Sequence, residues 1–334
     1  MNKIIKPKHN QKGLINKINL YIKENQLIQA GDHVIAAVSG GPDSMCLLDI
    51  LIKLQKKLNY HLSLCHYNHK IRGMEGDEDE EFVKKFACSR GVEAFISSRG
   101  AEKSINNEDD ARKLRYEFFE KLFNEKGRES IKIALAHNNN DYAETFLLRL
   151  LRGSGLKGLS SILPLRDFYI RPLLRVNRDE IIAYLTENQI PYRVDSSNLS
   201  DKYLRNKIRN KLLPELNNYN PNIIKTIANT AYMVSSDYQY ISEQAEEAFQ
   251  RIIVKDSAGD YINREGWFST HSTLRPYILL YWMECLGSVK DISSDHIQKI
   301  IEIIQHNRGK KKLPLPSSLR FEFKNGNIYI YKQM

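Results

Sequence analysis

A strand that runs straight into a helix through two glycines constrains this chain more than any other feature. The apolar run 34-VIAAVS-39 is followed by Gly40-Gly41-Pro42-Asp43-Ser44, and a helical pattern begins at once in 45-MCLLDILIKLQKKL-58. Glycines let the backbone turn sharply and present N–H groups. Pro42 suits a first helical position, where its missing N–H costs nothing. The helix N-terminus adds positive potential aimed at the loop. Ser39 through Ser44 therefore read as an anion cradle, with an ordinary tight turn as the alternative. The cradle carries a carboxylate, Asp43, and no lysine. The nearest following lysine is Lys53, so the stretch is neither the Gly-Lys-Ser/Thr phosphate loop nor a dinucleotide GxGxxG. A carboxylate beside phosphate repels it unless a cation lies between, so Mg²⁺ bridging Asp43 and phosphate oxygens is expected.

The surrounding pattern supplies the frame. Short, β-rich apolar runs at 33–39, 62–68, 93–97, 131–137 and 169–174 alternate with helical patterns at 42–58, 77–90, 107–126 and 141–152. A helix at 14–29 precedes them, and Asn177 with Glu180 resembles a capping box opening a helix at 178–188. Strand–helix alternation predicts a doubly wound parallel α/β sheet, Rossmann-like in layout. The Asn- and Pro-rich stretch 214-PELNNYNPN-222 marks a boundary. Beyond it the pattern is helical at 222–254, 272–286 and 294–306. It then ends in 319-LRFEFKNGNIYIYK-332, where Asn325-Gly326 between alternating runs signals a β-hairpin. The expected organisation is an α/β domain over 1–214 and a smaller, mainly helical domain over 215–334.

Charge and cysteine usage bound the partners. Lysine and arginine outnumber aspartate and glutamate by 50 to 40, which favours a polyanionic partner over a neutral one. A generally basic composition is the competing explanation. The excess concentrates in 201-DKYLRNKIRNKLLP-214 and 308-RGKKK-312, as phosphate-backbone binding requires. Cys46, Cys65, Cys88 and Cys285 form no CxxC pair, so reduced, mostly buried thiols are expected rather than zinc or iron–sulfur ligation. No run has the length of a membrane span, and the N-terminus lacks the apolar core of a signal peptide, so a cytoplasmic location is the expectation.

The string Ser39-Gly40-Gly41-Pro42-Asp43-Ser44 resembles the signature of the PP-loop ATP pyrophosphatases. That resemblance implies ATP cleavage between the α- and β-phosphates, pyrophosphate held by these six residues, and AMP transfer to a substrate oxygen. Further stretches are similar to the tRNA(Ile)-lysidine synthetase family. The first is 66-HYNHKIRG-73, whose His66, Asn68, His69 and Arg72 would face nucleotide or phosphate. In 108-EDDARKLRYEFF-119 the match favours Arg112 and Arg115 as phosphate contacts, beside a buried stripe of Leu114, Phe118 and Leu122. In 134-ALAHNNNDYAETFLLRLLRGSG-155, His137, Asp141, Glu144 and Thr145 match, while Asn140 and Tyr142 depart from the family's Asp and Gln. Asp141 is carried over as a second metal or catalytic acid. Asn140 reads as an uncharged ligand or as a helix N-cap.

The last stretch, 171-RPLLRVNRDEIIAYL-185 with 191-PYRVDSSNLSDKYLRNKIRNKLLPEL-216, carries the basic helix. Arg205, Lys207, Arg209 and Lys211 read as tRNA contacts, with a solvated helix as the alternative, and Asp195 and Asn198 read as loop-fixing residues. The resemblance implies ATP-dependent ligation of L-lysine to C2 of cytidine 34 in isoleucine tRNA with a CAU anticodon, through an adenylated base. Asp43, Asp141, Arg112 and His137 would be catalytic, with Arg112, Arg115 and His137 neutralising α-phosphate charge. Asp43 and Asp141 would hold the metal, and the loop with His66 and Arg115 would bind ATP. The resemblance is to the short form, without the extra C-terminal domain of longer members, and is compatible with a homodimer. A PP-loop tRNA thiolase is the alternative enzyme, and an RNA-binding module that lost catalysis is the non-enzymatic one.

Overall fold

The computed structural model describes residues 11–71, 73–99, 108–126, 130–160, 162–194, 204–257, 259–287, 289, 291–306 and 310–333. After helix α1 (Gln11–Glu24), the chain alternates β1 (His33–Ala37), α2 (Pro42–Leu58), β2 (His61–Asn68), α3 (Met74–Arg90), β3 (Glu93–Ser98), α4 (Glu108–Lys126), β4 (Ile131–Ala134) and α5 (Asn139–Leu151). Helix α6 (Leu156–Leu159) is followed by a β5 (Leu165–Arg166)/β6 (Tyr169–Ile170) hairpin and α7 (Arg178–Glu187). Two compact units result, Met1–Arg152 with Ser161–Ala231, and Gly153–Ser160 with Tyr232–Met334.

The first unit is the doubly wound sheet expected. Its strand order is β3-β2-β1-β4-β6-β5, and every neighbouring pair is parallel except β5–β6. The chain moves outward from β1 through β2 and β3, then returns to β1's other side as β4. Strand order therefore reverses between β1 and β4, and ligands bind outside the carboxyl ends at such a switch point. Helix α2 buries Met45, Cys46, Leu47, Leu48, Ile50, Leu51 and Leu54. An apolar surface so nearly continuous keeps the helix pressed on the sheet, at about 1.5–3 kcal/mol per fully buried side chain. Asn59 ends α2 in the left-handed conformation (φ 54°), and Gly91 ends α3 the same way (φ 64°). The strand expected over 169–174 stops at Ile170, because Pro172 has no N–H to give a ladder.

Past α7 the helical run comprises α8 (Leu204–Lys207), a π turn at Ile208–Leu212 and α9 (Leu213–Tyr219). Helix α10 (Ile223–Ile252) carries the chain into the second unit. There α11 (Arg264–Ser269), α12 (Arg275–Cys285) and α13 (Ser294–Gln305) accompany a five-stranded sheet of order β7-β8-β11-β10-β9. Its strands are β7 (Ile253–Val254), β8 (Tyr261–Asn263), β9 (Lys311–Pro314), β10 (Leu319–Lys324) and β11 (Asn327–Lys332). The expected hairpin is β10–β11, turning at Asn325 (φ 54°) and Gly326 (φ 77°). Three further strands flank it, more sheet than a hairpin alone. Trp267, Ile278, Met283, Ile300, Phe321 and Ile328 centre this unit's core. Among the described residues no helix is long and apolar enough to cross a membrane.

Candidate active site

The loop after β1 is cross-linked from within. Ser44 Oγ donates to Gly41 O (2.9 Å) and accepts from Ser39 N (3.2 Å), while Ser39 Oγ lies 3.2 Å from Ser44 Oγ. Gly40 sits at φ +89°, a region costly for any residue with a Cβ. Its carbonyl accepts the Arg193 N–H at 2.9 Å. Arg193 in turn reaches α3, giving Nε to Asp79 (3.0 Å) and Nη2 to Glu78 (2.6 Å). Loop carbonyls are thus tied down, Gly41 N–H donates to Ser39 Oγ at 3.4 Å, and the first N–H groups of α2 have no intrahelical partner. Gly41 is the N-cap and Pro42 opens the helix. Lys53 is committed elsewhere, to Asp49 (2.8 Å), Tyr184 (2.8 Å) and Asn188 (2.9 Å).

Asp43 faces the second switch-point loop. Its Oδ1 accepts from Asn138 Nδ2 at 2.9 Å, and its Oδ2 lies 3.3 Å from Arg178 Nη1. Burial raises its pKa, Arg178 opposes that, and the charge of Asp141 adds to it. Asn138 is the N-cap of α5. Its Oδ1 accepts from Asn140 N (2.9 Å) and Asp141 N (3.1 Å), and Asp141 Oδ2 returns the bond to Asn138 N at 3.1 Å. The cap is therefore Asn138 and not Asn140, because the box needs an acid at the third helical position, and from Asn138 that position is Asp141. Asn140 instead accepts the Arg178 N–H at 3.1 Å. Tyr142 is buried, its hydroxyl on Ala231 O at 3.2 Å.

The basic helix divides its charges. Arg205 gives Nη2 to Asp141 (3.0 Å) and Nε to Glu144 (3.0 Å), and Arg209 gives Nε (2.6 Å) and Nη2 (2.9 Å) to Glu144. Arg205 and Arg209, expected as tRNA contacts or as part of a solvated helix, instead turn inward onto the acids of α5. Lys207 and Lys211 stay exposed. Helical spacing explains the split, since residues four apart share a side and residues two apart lie on opposite sides; a wide turn follows, closed by Leu213 N–H on Ile208 O. Glu144, 1% exposed, receives both guanidiniums. Burying such a carboxylate is tolerable only when it is paired this fully.

The remaining predicted residues fall into two groups. His137 follows β4, and burial together with the charges of Arg171, Arg205, Arg112 and Arg115 holds its pKa well below 6.5. The direction favours the neutral imidazole over the positive charge expected of it, and its buried Nδ1 has no hydrogen-bond partner among the described residues. Arg112 stacks over Tyr116 and Arg171 is buried with Nη1 on Leu163 O at 2.8 Å. His66 is buried with Nδ1 2.8 Å from Val38 O, and burial lowers its pKa. Nδ1 is then the donor, and the buried, unpartnered Nε2 carries the lone pair. Asn68 does not face the loop. It gives Nδ2 to Gly76 O (3.1 Å), Asp77 (2.9 Å) and Glu80 (3.0 Å), anchoring α3. Cys46 and Cys65 are buried and Cys88 and Cys285 exposed, fewer buried thiols than expected. Arg72, Asp195, Asn198 and Lys202 lie outside the described residues.

Sequence reading missed Asn138, Arg178, Arg193 and the inward role of Glu144. Only Asn138 carried a local signal, its spacing of three from Asp141.

Comparison with known proteins bears on this geometry. Residues 11–216 match the family model described as a PP-loop domain. Over 302 residues the chain is 38% identical to a tRNA(Ile)-lysidine synthase of Clostridium perfringens (strain 13 / Type A), covering 88% of this chain and 64% of that protein. It is 35% identical over 329 residues to the tRNA(Ile)-lysidine synthase of Clostridioides difficile (strain 630), covering 96% and 69%. The chain thus spans about two thirds of the length of these curated relatives. Among solved structures, the U34-tRNA thiolase NcsA from Methanococcus maripaludis with its [4Fe-4S] cluster aligns with a TM-score of 0.56 at 18% identity. That alignment covers 68% of this chain and 80% of that one, a likeness of fold.

Proposed function

Since the chain belongs to the PP-loop tRNA(Ile)-lysidine synthase family, we propose that it joins L-lysine to C2 of cytidine 34 in a CAU-anticodon isoleucine tRNA, consuming ATP. The observation that carries the reading is the juxtaposition at the switch point. The α2 N-terminus with Asp43 meets Asn138, Asp141 and the arginine-ringed His137 there.

In the first step the C2 oxygen of the cytosine attacks the α-phosphorus. The bond to the β-phosphate oxygen breaks, and pyrophosphate leaves with that electron pair. The loop N–H groups and the α2 N-terminus hold the departing pyrophosphate. Arg112, Arg115 and Arg171 face charge developing on the α-phosphate, where fixed donors act most strongly. Asp43 and Asp141 fit a hard divalent cation, because Asn138 holds both carboxylates, Asp43 through Nδ2 at 2.9 Å and Asp141 through its N–H at 3.1 Å, close enough for the charge of Asp141 to act on Asp43. Mg²⁺ held by Asp43 and Asp141 would supply positive charge that offsets the charge developing on the leaving group. Arg178, which now holds Asp43, must then move aside. His66 Nε2 suits an N–H or O–H donor of the nucleoside. In the second step the lysine ε-amine attacks C2, AMP leaves with the former C2 oxygen, and the amine proton goes to solvent or a base.

The target base must be unstacked to react, so the partner surface is a single-stranded loop. Exposed Lys207 and Lys211 and the second unit are assigned to gripping that tRNA, in keeping with the net charge of +10. The test incubates the protein with ATP, Mg²⁺, labelled lysine and CAU-anticodon isoleucine tRNA. Label should enter the tRNA with one pyrophosphate released per lysine, and ATP-dependent release without label transfer would overturn the reading. A Cys46/Cys65/Cys88/Cys285→Ser variant should keep the activity, which separates it from sulfur transfer.

A further inference from the structure

The opposite edge of the first sheet carries a second constellation. His33 opens β1, His61 opens β2 and Glu93 opens β3. The register pairs His33 with His61 and Ser63 with Glu93. Side chains two apart on a strand share a face, so His61 and Ser63 point the same way, and their partners across the ladders point with them. The two imidazole centroids are 4.8 Å apart. One ligand atom from each of His33, His61 and Glu93 falls within 4.8 Å of the others. No other group of this kind occurs among the described residues.

We propose that His33, His61 and Glu93 form a binding site for a divalent transition-metal ion of the Zn²⁺ class. Two imidazoles and a carboxylate are the donors such ions prefer over Mg²⁺ or Ca²⁺. Three protein ligands leave a coordination position for water. The ligand backbones are fixed: His33 N–H bonds Ser130 O and His61 N–H bonds Asp32 O, both at 2.8 Å. The buried Ser63 hydroxyl bonds His33 Nε2, so Nδ1 is the metal-binding nitrogen. A hydrogen bond of that kind orients a ligating imidazole. His61 and Glu93 are exposed, so both can swing by the ångström or so that coordination requires. His33 and Glu93 have other partners, so metal entry exchanges contacts. The five residues of β1 separate this site from the loop at Ser39 by roughly 16 Å, so it is not part of the ATP site. A bound ion would tie three adjacent strands at their starts.

The test uses the full chain, stripped with EDTA and dialysed. Calorimetry with ZnCl₂ should show one site, Co²⁺ should give the visible absorption of an N/O-ligated ion, and Zn²⁺ should raise the melting temperature. His61→Ala and Glu93→Gln should each weaken binding at least ~10-fold, and Ser63→Ala by about 10–100-fold. Circular dichroism without metal should stay unchanged in the two exposed-site variants. Equal Zn²⁺ affinity in wild type, His61→Ala and Glu93→Gln would overturn the proposal. So would the absence of saturable binding, or competition by Mg²⁺ at equal concentration.

Discussion

Glu144→Ala tests the electrostatic logic of the site most directly. The carboxylate is 1% exposed and takes three arginine N–H bonds, from Arg205 Nε and from Arg209 Nε and Nη2. Removing one partner of a fully buried pair costs about 3–5 kcal/mol, because the other charge is left desolvated. Here the arginine side chains are 24% and 30% exposed, and Asp141 still pairs with both. Water and Asp141 offset part of the loss, which brings the expected cost to about 2–3 kcal/mol. For a unit of this size that is a fall in melting temperature of about 4–12 °C. Far-UV circular dichroism tracks the transition. Trp267 and Trp282 both lie in the second unit, so tryptophan fluorescence reports that unit alone. Combining Glu144→Ala with Arg205→Met, Arg209→Leu and Asp141→Asn should recover most of the loss, since the arginines' other partner, Asp141, is then uncharged too and no charge is stranded. A fall below about 1 °C for Glu144→Ala alone would refute the assignment of this cluster as a buried charge network.

Three other perturbations probe the same geometry. Asp43→Asn should abolish pyrophosphate release yet raise the melting temperature near neutral pH. The folded pKa is raised, so ionised Asp43 costs stability at neutral pH, and the gain should vanish below the ordinary value of 3.8, where the group is protonated in both states. Equal or lower stability of the variant at neutral pH would contradict this. His137, followed by NMR, should stay neutral down through its ordinary value of 6.5, and Arg171→Met should move its titration upward; a wild-type midpoint at 6.5 would remove the arginine ring from the account. Gly40→Ala should cost about 1–3 kcal/mol through backbone strain alone. A Cβ there meets nothing closer than Phe82 Cδ1 at 3.5 Å, so a larger loss in thermal unfolding would indicate a steric cause instead.

What the sequence disclosed and what it hid divide along physical lines. The loop from Ser39 to Ser44, the order of strands and helices, and the Asn325-Gly326 hairpin were legible because each is set by neighbours within a few residues. The division of the basic helix was not. Arg205 and Arg209 find their partner, Glu144, 61 and 65 residues earlier, and no periodicity within 201–214 points inward. The three consecutive asparagines 138–140 offered several caps, and only the return bond from Asp141 decides among them. Strand β5 has two residues, too short to leave a pattern. The starts of β1, β2 and β3 show the converse. His33, His61 and Glu93 mean nothing singly and acquire chemistry only through parallel register.

The π turn at Ile208–Leu212 has a consequence for how relatives of this chain are compared. Pro214, with no N–H to give the preceding turn and a ring that crowds the carbonyl of Asn210, sits just beyond it, and the extra residue of the wide turn makes room. Spacing between Arg209 and Pro214 is thus as much a part of the site as either side chain. Deleting one residue there would rotate α9 by about 100° relative to α8. Such a chain would keep every arginine, acid and glycine named above and score as intact by motif. It would nonetheless lose the means of holding both guanidiniums on Glu144 while α9 packs in place. For this segment, inheritance of function is a matter of counting residues as well as of matching them.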